Sequence, residues 1–244
     1  MLSEEGSIWA TPPSSPSLET GTVHVWRISL DQPDDRLDRF RQTLDPDELN
    51  RASRFHFEKH RRHFIVARGF LRSVVASYLE TLPETVRFSY GAYGKPELAS
   101  EHVQRFNLSH SHEVALLAVA LDAELGVDVE QIRADFASEE IARRFFSRAE
   151  VEVFNALPQE EQVAAFFRCW TRKEAYIKAI GKGLSQALDA FDVTLAPGVQ
   201  AELLRAEEDD VSRWLLYEID VGEGYAGALA VERPVAEVRF FRQD

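Results

Sequence analysis

The chain has 244 residues, 45% of them hydrophobic, which is enough apolar side chain for one large domain or two small ones. Its formal net charge of −13 argues against general nucleic-acid binding, because proteins of that class present a basic surface to phosphate. The longest apolar run, "VALLAVAL" over Val114–Leu121, is far below the roughly 18 residues that indicate a membrane span. Neither nucleic acid nor membrane is therefore an expected partner.

The N-terminus and the cysteine usage indicate a compartment. The opening "MLSEEGSIWATPPSSPS" has acids and prolines where a secretion signal has basic and then apolar residues. Cys169 is the only cysteine, so the chain cannot form an internal disulfide, as is usual in a reducing compartment. These features predict a cytoplasmic protein.

The first half of the chain contains one long helical pattern among strands. Residues 1–21 are rich in Pro and Ser and predict a loose tail or a strap. Alternation over 22–30 predicts a strand, and 46–82 has a helical pattern with Asp45 as its N-cap. A strand, a Gly/Pro turn and an extended piece then follow in "VRFSYGAYGKPEL". The stretch "FNLSHSHEVALLAVAL" predicts a turn leading into a buried strand.

The second half loosely repeats this plan. A strand in "LGVDVE" precedes a short helix near Ser138, and a long helix over about 160–180 ends at Gly181 and Gly183. The strands "FDVTL", "WLLYEID", "YAGALAVE" and "EVRFF" complete the chain. The sequence therefore predicts an α+β fold of two similar α/β subdomains, over 22–124 and 125–244.

Two carboxylates lie one residue apart in the predicted strand "ELGVDVEQI". Because side chains alternate along a strand, Asp128 and Glu130 share one face, while Leu125, Val127 and Val129 face the core. Adjacent carboxylates repel unless a positive group lies between them, and Mg²⁺ suits such oxygen ligands. For a D-x-E pattern alone, a solvent-facing strand edge is the commoner explanation.

Two further patterns carry chemistry only weakly when taken alone. Glu174 and Lys178 share a helix face at i and i+4, which is also typical of a solvated ion pair. Ser109 and His110 in "FNLSHS" would suit a phosphate-binding turn. A serine nucleophile with a histidine base is the weaker alternative, because the chain has no G-x-S-x-G elbow. An ordinary turn is a third explanation.

The order and spacing of five patterns are more specific than any one of them. They are Y-G-K-P, F-N-x-S-H-S, G-V-D-V-E, F-F-S-x-x-E and W-x-x-K-E-A-x-x-K-x-x-G-K-G-L. In these the chain resembles the 4′-phosphopantetheinyl transferases of the large, pseudo-dimeric surfactin-synthetase-activator type. The match covers roughly residues 22–240 and is densest over 91–185. The resemblance implies two halves related by pseudo-twofold symmetry.

The resemblance also implies a reaction and a metal site. The phosphopantetheine arm of coenzyme A would move to a serine of an acyl or peptidyl carrier protein, releasing adenosine 3′,5′-bisphosphate. Asp128, Glu130 and Glu174 would hold Mg²⁺, with Mn²⁺ as an alternative. Lys178 would contact the phosphates beside the metal. Either Glu174 or Glu150 would take the proton of the carrier serine, and the choice between them stays open.

A set of residues would bind coenzyme A by the same resemblance: Arg51, Arg62, Gly94, Lys95, Pro96, Asn107, Ser109, His110, Lys173 and Lys178. The chain departs from the family pattern at two positions. Glu48 and Arg51 stand where the best-known type has two lysines that reach the 3′-phosphate, so Arg62 is a candidate for the missing charge. Val129 between the metal carboxylates offers no further ligand.

Carrier proteins of this class are acidic around their serine, so an acidic enzyme needs a local basic surface. The 51–72 helix and the group Arg143, Arg144 and Arg148 are the candidates, and a merely solvated helix face is the alternative. A monomer would suffice, because the two halves would build one site between them. Two other functions stay open: a coenzyme A-binding module without turnover, and metal-dependent hydrolysis of a phosphoanhydride.

Overall fold

The fold is taken from a computed structural model that describes residues 8–91, 93–98 and 102–243. Its helices are α1 (Asp34–Thr43), α2 (Pro46–Ser53), α3 (Glu58–Leu79), α4 (Glu139–Phe145), α5 (Arg148–Ala156) and α6 (Gln159–Ile180). Its strands are β1 (Thr22–Ser29), β2 (Phe88–Tyr90), β3 (Pro96–Leu98), β4 (Gln104–Ser111), β5 (Val114–Leu121), β6 (Leu125–Gln131), β7 (Phe191–Val193), β8 (Leu203–Ala206), β9 (Trp214–Ile219), β10 (Tyr225–Glu232) and β11 (Glu237–Gln243). The α+β prediction is confirmed.

Two sheets, each with a long helix, form a four-layer core. The first sheet has the strand order β11-β1-β5-β4, and α3 covers one of its faces. The second has the order β6-β10-β9, with α6 on its outer face. The inner faces of the two sheets pack together through apolar residues such as Val25, Leu116, Val127 and Leu229. Both long helices have 22 residues, in agreement with two similar halves.

The helical pattern over 46–82 is broken in the structure. Asp45 caps α2 as predicted, since its carboxylate accepts from the Glu48 amide at 2.9 Å and Glu48 returns the bond in a capping box. The chain then leaves the helix before Phe57, whose extended backbone starts α3. Helix α1 was not predicted from the sequence, although two acids in its first turn favour a helix start.

The predicted turn at "FNLSHS" is wrong. Residues 104–111 form β4, which pairs with β5 in an antiparallel hairpin. The actual turn lies at His112, whose φ is 53°. Asn, Ser and His are common in turns, but here cross-strand pairing along β5 outweighs that local preference.

The chain ends meet at one edge of the first sheet. β11 pairs parallel with β1, so the last strand of the chain lies in the sheet of the first half. Beyond β11, Ala10 bonds the backbone of Phe240 and Arg242, each at 2.9 Å. The Trp9 indole donates to the Asp220 carbonyl at 2.7 Å. Residues 8–10 therefore lie along β11, and the predicted division into a tail or strap over 1–21 and subdomains over 22–124 and 125–244 stays a prediction.

The helices of the described residues include none that is long and apolar enough to cross a membrane.

Candidate functional site

A close approach of α6 to β6 builds the site. Gly126, Asp128 and Glu130 share the face of β6 that α6 covers. A Cβ added at Gly126 would overlap the Ala175 carbonyl oxygen and the Ala179 amide nitrogen, so only glycine allows this distance. The helix thereby places Lys178 against Asp128.

Asp128 is buried and only half satisfied. It is 3% exposed, and its Oδ1 accepts from Lys178 Nζ at 2.6 Å and from Ser109 Oγ at 2.8 Å. Its Oδ2 is buried with no hydrogen-bond partner among the described residues. A buried charged oxygen without a partner costs free energy, so this atom indicates a place for a ligand.

Glu130 and Glu174 complete a cluster of three carboxylates. Burial raises the pKa of Glu130, and the negative charge of Asp128 raises it further. Burial likewise raises the pKa of Glu174, followed by the charge of Asp128, while Lys178 acts in the opposite direction. The charge of Asp128 thus disfavours the charged forms of both glutamates, and a bound cation would relieve this effect.

The donor chemistry fits a hard divalent cation. Carboxylate oxygens and one unpartnered buried oxygen are what Mg²⁺ or Mn²⁺ would need. No group of three or more His, Cys, Asp or Glu side chains within the described residues has the arrangement of a formed metal site. Asp128 forms an ion pair with Lys178 in this structure. The three carboxylates would therefore have to close around the cation.

Polar side chains at two-residue spacing join β4 to β6. Asn107 Oδ1 accepts from the Val127 amide at 2.9 Å, and Ser109 Oγ donates to Asp128. Ser111 Oγ donates to Glu130 Oε2 at 2.7 Å. Asn107 and Ser109 thus connect β4 to β6, and their predicted contacts with coenzyme A stay predictions. Ser111 received no predicted role, although the spacing N-x-S-x-S in one strand was a signal for it.

His110 has a different setting. It follows Ser109 in β4, so its side chain leaves the opposite face, and it is exposed. Its pKa is lowered, first by desolvation from surrounding protein and then by the positive charges of Lys178 and His63. His63, buried on α3 and 3.3 Å from Asp31, was not predicted. Lys178 gives this opening a positive charge that suits phosphate, and the lowered pKa of His110 favours a neutral ring that can donate a hydrogen bond.

The Gly94-Lys95-Pro96 turn lies beside the end of α6. Gly94 has φ 81°, and the turn is closed by a bond from the Gly91 amide to the Lys95 carbonyl at 2.9 Å. Lys95 Nζ donates to Glu124, to the Leu125 carbonyl and to the Ala179 carbonyl at 3.2, 3.2 and 3.3 Å. In this structure Lys95 therefore links the turn to β6 and α6.

The two predicted arginines are engaged near the N-terminal ends of α1 and α3. Arg62 donates to Asp34 at 2.6 Å and to the Gln32 carbonyl at 2.8 Å. The Arg51 guanidinium lies over the Phe64 ring, 5.3 Å from its centroid. Arg51 is exposed, so it stays the better candidate of the two for a phosphate.

Glu150 and Lys173 form a buried ion pair inside the second half. Glu150 is 2% exposed, and its carboxylate accepts from the Ser147 amide, the Val193 amide and Lys173 Nζ, each at 2.8 Å. Lys173 also donates to two backbone carbonyls, at 2.7 and 2.6 Å. Both side chains are fully occupied inside the second half. This environment favours a structural role, and the roles predicted for them in proton transfer and coenzyme A binding stay predictions.

Two family models match the chain. One, described as the 4′-phosphopantetheinyl transferase superfamily, covers residues 124–230. The other, described as 4′-phosphopantetheinyl transferase, N-terminal, covers residues 31–122. Their boundary falls between β5 and β6.

Named relatives agree with these matches. The chain is 40% identical over 226 residues to 4′-phosphopantetheinyl transferase HetI of Nostoc sp. (strain PCC 7120), with 91% of this chain and 93% of that protein covered. It is 30% identical over 215 residues to 4′-phosphopantetheinyl transferase Sfp of Bacillus subtilis (strain 168), with coverages of 87% and 93%.

A solved structure also aligns with part of the chain. It is a holo-(acyl-carrier-protein) synthase from Bacillus anthracis str. Ames in complex with CoA, covering 45% of this chain and 94% of its own, with 18% identity and a TM-score of 0.37. The matches of both family models and the 40% identity to the Nostoc enzyme decide the assignment. The chain belongs to the 4′-phosphopantetheinyl transferase superfamily.

Proposed function

We propose that this protein transfers the phosphopantetheine arm of coenzyme A to a serine of an acyl or peptidyl carrier protein, in a reaction that depends on Mg²⁺ and releases adenosine 3′,5′-bisphosphate. The observation that supports this most directly is the unpartnered, buried Oδ2 of Asp128 within a cluster of three carboxylates. Such a cluster could hold a cation that assists transfer of the phosphopantetheinyl group from the pyrophosphate of coenzyme A to a serine hydroxyl.

The cation would be held by Asp128, Glu130 and Glu174, with Mn²⁺ as an alternative to Mg²⁺. When bound, it would supply Lewis-acid stabilisation for the charge that develops on the attacked phosphate. Lys178 already contacts Asp128 at 2.6 Å, and its side chain is 27% exposed. It can therefore turn from Asp128 to a substrate phosphate once the cation neutralises the carboxylate.

The other roles follow from position. Glu174, half-buried on α6, would accept the proton of the carrier serine directly or through water, since Glu150 is sealed in its ion pair. His110, with His63 behind it, would bind a phosphate of coenzyme A, and exposed Arg51 would add charge. The Gly94-Lys95-Pro96 turn would lie against the nucleotide.

The carrier would approach a partly neutralised surface. Arg143 pairs with Glu139 at 2.5 Å and Arg148 with Glu152 at 3.0 Å, both between exposed side chains. Exposed pairs of this kind are weak and exchange readily, so the arginines remain available to an acidic carrier. We further infer a cytoplasmic monomer, because Cys169 has no partner for a disulfide and one chain supplies every site residue.

The test is the intact mass of an apo carrier domain after incubation with the protein, coenzyme A and Mg²⁺. We expect a gain of one phosphopantetheine, which is lost with EDTA and with Glu174→Gln. The matched control is Glu160→Gln, an exposed carboxylate on the same helix, which should keep wild-type transfer.

Two results would point to the other functions. Coenzyme A binding without any mass gain on several carriers would support a binding module. Coenzyme A cleavage in the absence of a carrier would support a phosphoanhydride hydrolase.

A further inference from the structure

Ser111 lies at the end of β4, where its hydroxyl bridges two groups of β6. The Gln131 amide donates to Ser111 Oγ at 3.1 Å, and Ser111 Oγ donates to Glu130 Oε2 at 2.7 Å. A hydroxyl has one proton to give. The Ser111 oxygen accepts the Gln131 N–H, so the hydroxyl proton is directed to Glu130. The donor and acceptor of each hydrogen bond are therefore fixed.

Ser109 repeats this arrangement two residues earlier on the same strand face. Its Oγ accepts from Lys178 Nζ at 2.9 Å and donates to Asp128 Oδ1 at 2.8 Å. Each serine thus fixes one oxygen of one carboxylate. The other oxygen of Asp128 is the buried Oδ2 that lacks a partner among the described residues. The repeat indicates that β4 sets the orientation of both carboxylates.

We propose that Ser111 is a positioning residue, whose hydroxyl holds Glu130 Oε2 and so leaves Oε1 for the divalent cation shared with Asp128 and Glu174. The inference rests on the proposed function only in requiring a cation at this cluster. A free glutamate side chain loses rotamer entropy when it is ordered. Ser111 reduces that cost in advance, because Glu130 is already held before the cation binds.

A purely structural role is the competing explanation, since the same hydroxyl also ties β4 to β6. Two substitutions separate the roles. Ser111→Ala removes the hydroxyl, and Ser111→Thr keeps it with a side chain that strands favour. Ser77→Ala is the control, because Ser77 is a half-buried serine of α3 whose hydroxyl donates to the Val74 carbonyl at 2.6 Å.

The experiment is an Mn²⁺ titration of the full chain saturated with coenzyme A, followed by the EPR signal of free Mn²⁺. Groups that orient metal ligands from outside typically change metal affinity by about 10–100-fold. We expect Ser111→Ala to weaken Mn²⁺ binding by about 10-fold, and Ser111→Thr to stay within about 3-fold of wild type. Coenzyme A affinity and Tm in EDTA should match the Ser77→Ala control.

Three results would overturn the proposal. They are unchanged Mn²⁺ affinity in Ser111→Ala, a Thr variant as weak as the Ala variant, and a parallel loss of coenzyme A affinity or Tm in EDTA. Failure of wild-type protein to bind Mn²⁺ would remove both this proposal and the metal site of the proposed function. Normal wild-type Mn²⁺ binding and transfer, with no effect of Ser111→Ala, would remove this proposal alone.

Discussion

Two lysines on α6, five residues apart, form ion pairs of nearly the same length in different surroundings. Lys173 contacts Glu150 at 2.8 Å, and Lys178 contacts Asp128 at 2.6 Å. The Lys173 side chain is fully buried, whereas that of Lys178 is partly exposed. Distance alone therefore does not separate a structural pair from a candidate catalytic pair.

The difference lies in what each pair leaves unsatisfied. Both oxygens of Glu150 accept hydrogen bonds, and Lys173 also bonds two carbonyls. Asp128 keeps one buried oxygen without a partner in the described residues, and it lies beside two further carboxylates. A buried ion pair with every group satisfied stabilises one structure. A pair with a charged atom left over is prepared for a ligand.

Asp128→Asn should have the largest effect of the changes that test this comparison. The amide keeps the shape but removes the charge that a cation needs, so we expect kcat/KM for carrier modification to fall about 10³-fold, or about 4 kcal/mol. Stability should be kept or rise, because repulsion with Glu130 and Glu174 is relieved. Steady-state transfer assays and thermal melts in EDTA measure the two effects. Near wild-type turnover would remove Asp128 from the site.

Glu150→Gln, the matching amide substitution in the sealed pair, should act on stability instead. Removing one partner of a buried pair leaves Lys173 uncompensated and costs about 3 kcal/mol or more. For a chain of this size that lowers Tm by roughly 6–12 °C. Folded protein should retain most of its transfer activity. A catalytic loss as large as that of Asp128→Asn, without a change in Tm, would contradict the structural role.

His24 sharpens the comparison, because its Nε2 is also buried without a partner in the described residues. Its Nδ1 is 2.7 Å from Tyr78 Oη, and burial followed by the charge of Arg239 lowers its pKa from 6.5 to about 4. The unfolded chain therefore binds more protons between these values, so stability is full above pH 6.5 and falls as the pH drops towards 4.

We expect His24 to account for a loss of about 2 kcal/mol between pH 7 and pH 5. Urea unfolding of wild type and His24→Gln at both pH values measures this loss. The difference in free energy of unfolding between the two proteins should be smaller at pH 5 than at pH 7. A constant difference would show that His24 is not held neutral. An unpartnered buried atom is thus a functional signal only where charges converge on it, as at Asp128.

Double charge reversal at Arg143 and Arg144 should have the smallest effect, because both side chains are exposed to solvent, unlike the buried ion pairs. Arg143 is paired with Glu139, and the Arg144 guanidinium lies 5.3 Å from the centroid of the Phe145 ring. We expect carrier KM to rise about 10-fold, with less effect at high salt because exposed charges are screened. Coenzyme A affinity should not change. Equal loss of both affinities would argue against a carrier surface here.

The sequence predicted the strand faces at the site well. The two-residue period placed Asp128 and Glu130 together and Leu125, Val127 and Val129 in the core, and the structure agrees. Strand alternation is a local property that tertiary contacts seldom reverse when one face is buried. The cap at Asp45 and the helix end at Gly181 were predicted for the same local reason.

The ion pair between Lys173 and Glu150 could not be predicted from local sequence patterns. Lys173 adjoins Glu174 in the sequence, but neighbours on a helix point about 100° apart, so they face different parts of the molecule. Lys173 reaches Glu150 on α5 and carbonyls near β7, which only tertiary packing brings together. The β4 turn was predicted wrongly for a related reason, since pairing with β5 is not visible in its own residues.

The pairing of β11 with β1 has a consequence for how the protein is made. A ribosome releases all 22 residues of α3 and the strands around it long before β11 is made, so β1 lacks this parallel neighbour until then. The first sheet can therefore be completed only after β11 has been made, and the contacts between β1 and β11 span most of the described chain. Because Ala10 bonds the backbone of Phe240 and Arg242, the first and last described segments of the chain also meet at one place. A circular permutant that joins them would make β11 and β1 neighbours in translation and should let the first sheet form early.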